Sequence, residues 1–363
     1  LWLERLAASD GSPVVLLLDD LQWADDASLD ALAALLQAAR GPLLALLCAR
    51  PALLERVPGW GDGLPAHERL ALQPLDAPQT SALARSLLAR LDPVPLELAE
   101  LIQRRAEGNP FYAEELVGML LDQGVITPND GATQGLGDWR FHADRLDAKR
   151  LPTTLTGVLQ ARLDALDSAA LNALQMASVI GPVFWDDALQ ALDARGPHAL
   201  PALQRKALVQ QRPTSAFDDT DEQAFQHHLL HQVSYDTVLK PHKRAAHARA
   251  AAWLTQRAGD RSDEYLAITG EHHARAGEHV QAASWFERAS ESVVLRHAYK
   301  TSLHYLNLAE AQLALAAEPA PPNLRHKLLA RRSRVYDNLG MRDEQAKALE
   351  HELAWCEAQD EPP

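Results

Sequence analysis

The sequence contains little cysteine and few aromatic residues. Only two cysteines occur among its 363 residues, Cys48 and Cys356, and they stand far apart. Two such residues build neither a disulfide framework nor a CxxC metal site, and they fit a reducing, cytoplasmic location. Aromatic residues make up 6% of the chain, whereas alanine and leucine are abundant. Since alanine and leucine lose little conformational freedom in a helix, the composition predicts a mainly helical protein.

Long apolar runs and excess positive charge are also lacking. The longest apolar run near the N-terminus, residues 14–18, is far too short to span a bilayer, so no membrane partner is expected. The formal net charge is -14, from 35 basic and 49 acidic side chains. A surface of that sign repels phosphate backbones, so direct nucleic-acid binding is not expected. The one dense basic stretch, residues 240–249, is interpreted as the solvated face of a helix.

The first part of the sequence predicts an α/β arrangement. Residues 1–9 have the pattern of an amphipathic helix. The short apolar runs 14–18 and 43–47 predict strands buried on both faces, and residues 69–72 are a third candidate strand. A helix is predicted between the first two runs, over residues 27–40. Strand, helix and strand at this spacing are typical of a parallel sheet.

Helices are predicted along most of the remaining sequence. Residues 76–125 have helical periodicity interrupted by proline and glycine, and residues 151–239 contain three helical stretches followed by an apolar-polar segment. The segment between them, residues 126–150, is rich in turn-forming residues and predicts an insertion, a hairpin or a linker.

The C-terminal segment, residues 240–363, is repetitive. Turns at Gly277 and Gly340 precede helices whose small and aromatic residues fall on one face. The pattern resembles degenerate tetratricopeptide repeats, which predicts an α-solenoid of antiparallel helix pairs. A generic helical bundle is the alternative. The residues expected in the core of this arm are Ala282, Trp285, Phe286, Ala289, Tyr305 and Leu308.

Two adjacent carboxylates follow the first predicted strand. Asp19 and Asp20 end the run 14–18, and ligands of open α/β sheets bind at the carboxyl ends of the strands. One carboxylate there can hold hydrated Mg²⁺, and its neighbour can polarise a water aimed at a γ-phosphate. A strand that merely ends in a polar turn is the alternative interpretation.

The longer string DDLQWADDASLDAL resembles the Walker B region of the STAND class of signalling ATPases. These proteins are relatives of the AAA+ ATPases and include predicted ATPase/cyclase and LuxR-type regulators. The resemblance implies that Asp19 coordinates the metal and that Asp20 is the catalytic, water-positioning acid. It also implies that Arg50, at the end of LLALLCARP, is a second catalytic residue that senses the γ-phosphate. The implied cofactors are ATP or ADP and Mg²⁺.

Two further strings carry the same resemblance. EGNPFYAEEL is similar to a turn between lid helices that lies near the adenine in the family, which implies nucleotide binding by Gly108 and Pro110. FQHHLLHQVSYDTVL places Phe225, His227 and Tyr235 where family members carry the same residue types. A histidine at this position touches the β-phosphate in related ADP-bound switches, which implies that role for His227.

The resemblance implies a mainly α fold with a partial α/β P-loop NTPase core, a winged-helix domain and a tetratricopeptide-like α-solenoid. The implied domains are a core over 1–75, a helical lid over 76–125, an insertion or linker over 126–150, a winged-helix-like domain over 151–239 and repeats over 240–363. The core would form an incomplete sheet in which the strands at 14–18 and 43–47 are adjacent and a vacant slot separates them from the strand at 69–72.

No GxxxxGK[ST] phosphate-binding loop occurs in the sequence. In the family this loop precedes the Walker B strand, and the chain begins with leucine rather than methionine. The expectation is therefore a fragment, inactive by itself, of a cytoplasmic protein that hydrolyses ATP. The predicted function is a regulatory ATP-binding and ATP-hydrolysing switch of a multidomain signalling protein.

The implied partners include an effector domain outside this chain, either a cyclase, a kinase or a DNA-binding module. Protein partners are expected at the repeat arm, and a nucleotide-dependent oligomer is a further expectation. Two other functions stay open. One is a non-catalytic interaction scaffold, and the other is a transcriptional regulator that uses the winged helix on DNA.

Overall fold

The computed structural model is mainly helical, as the alanine and leucine content predicts. It describes residues 13–39, 41–64, 66–129, 138–147, 151–257 and 262–358. The predicted helix over residues 1–9 lies outside these ranges. Within them, no helix combines the length and the apolar character needed to cross a membrane.

Two parallel strands begin the described chain, as the sequence predicts. Strands β1 (Val14–Leu18) and β2 (Leu43–Leu47) pair directly in parallel register. Helix α1 (Asp26–Ala38) connects them, and the short helix α2 (Ala52–Arg56) follows β2. One face of this sheet packs on a small core centred on Leu21, Leu29 and Leu53.

The opposite face of the two-stranded sheet is apolar and open. Its side chains are Val15 and Leu17 of β1 and Leu44 and Leu46 of β2, each with between 48% and 66% of its surface exposed. Parallel sheets are normally covered on both faces. This sheet therefore exposes an apolar surface of the kind that usually packs against another element.

The prediction of a third strand over residues 69–72 was wrong. This segment has no regular structure, and Leu70 and Leu72 are almost fully exposed. The segment pairs with neither β1 nor β2, as the predicted vacant slot implies, but without a paired neighbour for its backbone N–H and C=O groups it forms no strand. Arg69 instead turns back, and its Nη2 donates to Asp62 Oδ1 at 2.8 Å.

Three helices form the next unit, with the breaks that the sequence predicts. They pack around a shared core, and a short antiparallel pair of strands follows them. The elements are α3 (Ala77–Leu87), α4 (Leu96–Ala106), α5 (Pro110–Asp122), β3 (Ile126–Pro128) and β4 (Trp139–Phe141). Asp76 and Gln79 form a reciprocal capping box at the start of α3.

The unit that follows combines five helices with a three-stranded antiparallel sheet. The strand order is β5-β7-β6, and the helices cover one continuous core that includes Phe184 and Phe225. In chain order the elements are α6 (Leu155–Asp164), α7 (Ser168–Ile180), β5 (Val183–Trp185), α8 (Asp186–Leu192), α9 (Gly196–Arg205), β6 (Val209–Gln211), β7 (Glu222–Phe225) and α10 (His228–Thr237).

A helical arm completes the described chain, and neighbouring helices pack against one another in sequence. Its helices are α11 (Lys240–Arg257), α12 (Ser262–Ala276), α13 (His279–Val294), α14 (Tyr299–Leu315), α15 (Pro322–Leu339) and α16 (Arg342–Ala358). This arrangement is solenoid-like, as the repeats predict. Gly277 and Gly340 both adopt positive φ angles at turns between helices.

The predicted core of the arm was right in part. Ala282, Phe286 and Ala289 are buried, whereas Trp285, Tyr305 and Leu308 are only half-buried. Tyr305 and Leu308 pack against the core from its margin, whereas the Trp285 ring stacks on His273 and lies under the Arg288 guanidinium. Helices α12 and α13 approach closely because position 270 is a glycine: a Cβ there would lie 3.0 Å from the Phe286 ring.

Candidate functional site

The carboxyl ends of β1 and β2 bring three of the sequence-predicted site residues together. Asp19 and Asp20 follow β1, and Arg50 lies three residues after β2. The side chain of Gln22 joins them: its Nε2 donates to Asp20 Oδ1 at 2.7 Å, and its Oε1 accepts from the Arg50 backbone N–H at 3.0 Å. The Leu21 N–H also donates to the Cys48 carbonyl at 3.0 Å.

Asp20 holds an unusual backbone conformation. Its φ of 55° and ψ of 36° lie in the left-handed region, which non-glycine residues rarely adopt and which aspartate tolerates better than most. Its N–H donates to Asp19 Oδ1 at 2.8 Å. Residues in such conformations often occur at functional sites, where the surrounding structure holds the strain.

The two carboxylates suit a metal that a nucleotide helps to hold. Asp19 and Asp20 are exposed and adjacent. Among the described residues, no group of three or more His, Cys, Asp or Glu side chains could hold a metal ion. Mg²⁺ usually takes one or two carboxylates and completes its octahedral shell with water and substrate phosphates. The donor set therefore fits Mg²⁺ bound together with phosphate, rather than a metal site closed by protein ligands.

The sequence-predicted residues Gly108 and Pro110 shape a corner between α4 and α5. Pro110 occupies the first turn of α5, where its missing N–H costs nothing. Asn109 caps the helix by accepting from the Tyr112 N–H at 3.3 Å. Gly108 has φ +80°, and a Cβ there would lie 2.4 Å from the Leu75 carbonyl oxygen. Glycine is therefore required here by the fold, whatever its relation to a ligand.

We expect Gly108→Ala to lower the free energy of unfolding by about 1–3 kcal/mol, since it combines a positive φ with a backbone clash. Urea unfolding of the purified chain measures this change. Gly63→Ala is the matched control, because a Cβ at Gly63 meets nothing within 4 Å. Equal stability of the two variants would contradict the structural role of Gly108.

His227 lies beside Phe111, the residue that follows Pro110, with 3.9 Å between the two ring centroids. It occupies the N-cap position of α10, but its side chain makes no capping hydrogen bond. Burial lowers the pKa of His227, the carboxylates of Glu115 and Glu114 oppose this effect, and Arg162 adds to it. His227 is thus half-buried where α5 and α10 meet.

An exposed tryptophan connects the two groups of candidates. Trp23 follows the acidic pair, and its ring centroid lies 6.1 Å from that of His228, next to His227. The sequence analysis did not predict this contact. Nothing in the sequence pattern indicated Gln22 or Phe111 as site residues.

A buried ionic cluster near His227 was missed by the sequence analysis. Arg162 of α6 donates from Nη1 to Glu115 Oε2 at 2.7 Å and from Nε to Asp122 Oδ2 at 3.1 Å. Lys206 contacts the same Asp122. The sequence did indicate a buried arginine, because Arg162 falls on the same helix face as the apolar residues Val158, Leu159 and Leu163.

A chain of buried hydrogen bonds joins α10 to the arm. The Tyr235 hydroxyl and His247 Nε2 are 2.9 Å apart, and His247 Nδ1 is 2.9 Å from His272 Nδ1. His272 also forms a hydrogen bond with the backbone of Ile180. With both rings neutral, His272 would donate to the Ile180 carbonyl and accept from His247, which in turn would accept from Tyr235. Burial lowers the pKa of both rings and so favours this neutral form.

Comparisons with known proteins gave a family match over a short segment and a structural match over almost the whole chain. A family described as a domain of unknown function (DUF8739) matches residues 77–134. No curated protein matches the sequence. One similar solved structure is that of a Signal Transduction ATPase with Numerous Domains (STAND) protein with a tetratricopeptide repeat sensor from Pyrococcus horikoshii. That match has 12% identity and a TM-score of 0.46, and it covers 99% of this chain and 52% of that chain. This chain thus spans about half the length of that protein.

Proposed function

We propose that this chain is part of a nucleotide-controlled signalling ATPase, in which Asp19 and Asp20 meet a Mg²⁺-bound nucleotide. The observation that carries the proposal is the strand-end cluster, in which Gln22 ties the strained Asp20 to the Arg50 backbone. In this proposal Asp19 helps to hold the metal and Asp20 orients the attacking water. The Arg50 guanidinium responds to the γ-phosphate.

Two other parts of the chain support a regulatory role. The order of helices and strands over 155–237, with a three-stranded antiparallel sheet, is compatible with a winged helix that packs within the molecule. The arm from α11 to α16 offers stacked helices suited to protein partners. We propose that nucleotide binding changes how these two parts pack, and that an effector responds.

The proposal requires a phosphate-binding loop from outside these residues. The exposed apolar face of β1 and β2 supports such a requirement, since a parallel sheet is normally covered by further elements on both sides. Backbone N–H groups of a loop and helix N-terminus supply much of the binding of phosphate. We therefore expect calorimetry with Mg-ATP to detect no micromolar binding by the 363-residue chain alone.

The decisive experiment measures ATP hydrolysis by a polypeptide in which this chain is joined to its phosphate-binding loop. Asp20→Asn should lower kcat by roughly 10²–10⁴-fold with little change in ATP affinity, since a water-orienting base is lost. Asp19→Asn should weaken the Mg²⁺ dependence of binding. The matched control is Asp30→Asn, which removes an exposed carboxylate on α1.

Unchanged turnover in Asp20→Asn would overturn the role given to this residue. Absence of hydrolysis in every variant, with a folded arm that still binds protein partners, would favour the interaction scaffold instead. Micromolar Mg-ATP binding by the chain alone would contradict the need for an added loop.

A further inference from the structure

The loop from Leu21 to Asp25, termed the strand-end loop, contacts a different element at almost every residue. Gln22 uses both ends of its amide, one on the Asp20 carboxylate and one on the Arg50 backbone. An amide offers both a donor and an acceptor, so one side chain bridges the ends of both strands. A displacement of the Asp20 carboxylate therefore reaches Gln22 directly.

The next residue of the loop contacts α10. Trp23 is 68% exposed, and its ring centroid lies 6.1 Å from that of His228 in the first turn of α10. The neighbouring His227 contacts Phe111 of α5 at 3.9 Å between ring centroids. Because Trp23 is largely exposed, its ring has room to move if the backbone beneath it moves.

The end of the loop is held by both neighbouring elements. The Ala24 carbonyl accepts from the Arg56 guanidinium, and Asp25 caps α1 by accepting from the Ser28 N–H at 2.7 Å. Burial raises the pKa of Tyr305 on α14, and the carboxylates of Asp25 and Glu271 add to that increase.

We propose that the strand-end loop is the coupling element that transmits displacement of the Asp20 side chain to α10. A ligand that binds the Asp20 carboxylate competes with the Gln22 amide for it. Release of Gln22 also releases the Arg50 backbone N–H and frees the loop to shift Trp23 against His228. The ligand that would displace Asp20 rests on the proposed function. The link from Gln22 through Trp23 to α10 can be tested without any nucleotide.

The test measures hydrogen exchange in the 363-residue chain without nucleotide. Gln22→Met keeps the length of the side chain and removes both hydrogen bonds. We expect exchange at the amides of residues 228–237 to rise roughly five-fold or more, the lower end of typical coupling between sites. Gln345→Met is the matched control, because Gln345 makes a local bond to Arg342 in the arm.

The second arm of the test is a double-mutant cycle between Gln22→Met and Trp23→Ala. If Trp23 carries the coupling, Gln22→Met should have no further effect on residues 228–237 once Trp23 is alanine. Additive effects of the two changes would overturn the proposal, as would unchanged exchange at these residues in Gln22→Met. Because no nucleotide is present, a failure of the ATPase proposal leaves this result interpretable, and a failure here leaves the hydrolysis assay unaffected.

Discussion

Arg162→Ala is expected to lower the free energy of unfolding by about 3–5 kcal/mol, which is the usual cost of leaving buried charges without their partner. Arg162 is 4% exposed and binds two carboxylates, Glu115 and Asp122, from α5. Its removal leaves Glu115 buried without a cation, while Lys206 still contacts Asp122. The change also removes the ion pairs that join α5 to α6.

Chemical denaturation with a matched surface variant measures this effect. Arg104→Ala removes an exposed arginine that pairs with Glu100 on the same helix, and we expect it to change stability by less than about 0.5 kcal/mol. A triple variant that replaces Arg162, Glu115 and Asp122 with apolar residues of similar volume should recover much of the loss. A loss for Arg162→Ala no larger than that for Arg104→Ala would contradict the role of the cluster.

The second large effect is a loss of stability on acidification through the buried histidine pair. Burial lowers the pKa of His247 to about 3, with the His272 charge and Arg275 adding to the effect. Burial lowers the pKa of His272 to about 4, with Arg275 and His273 contributing. Lys243 also faces His247. The folded state thus keeps both rings neutral well below the pKa of an unfolded histidine.

The direction of the effect follows from proton binding. Below about pH 6.5 the unfolded chain binds protons at both rings and the folded chain does not, so the free energy of unfolding falls. The expected slope is up to about 1.4 kcal/mol per pH unit for each imidazole between pH 6.5 and about pH 4. Above pH 6.5 this pair contributes no pH dependence.

Urea unfolding at several pH values between about 7 and about 5 checks this slope. The variant His247→Phe/His272→Leu removes both titrating rings and should flatten the pH dependence. The single variant His272→Gln should remove part of it, which keeps the test informative if the double variant folds poorly. His304→Gln, at an exposed position on α14, is the control. A slope in His272→Gln equal to that of the unaltered chain would contradict the assignment.

Local sequence patterns predicted several elements of this fold, but they gave three helical stretches over residues 151–239, where the structure has five helices and three strands. The short apolar runs became the paired strands β1 and β2, and proline, asparagine and glycine marked the helix breaks at residues 108–110. These features depend on neighbouring residues only, since hydrophobic periodicity and capping act over a few positions. The prediction of a third strand over residues 69–72 was wrong because a strand requires a paired neighbour, which no local pattern specifies.

The candidate site was predictable in its acidic pair and not in its connections. Asp19 and Asp20 follow an apolar run, so their position at a strand end came from a local pattern. The bridge through Gln22 to Arg50 and the contact of Trp23 with His228 join residues far apart in sequence. The partners of His247 and Arg162 likewise come from other helices. A single sequence offers no signal for such pairs.

The close approach of α12 and α13 at Gly270 has a consequence for the whole arm. The helices that follow extend the arm from this joint, so a small change in the spacing at Gly270 and Phe286 tilts everything beyond it. A side chain at position 270 would push α12 and α13 apart. The helices that follow would tilt with α13, so their displacement would grow toward α16. The glycine therefore sets the spacing between α12 and α13, from which the rest of the arm continues.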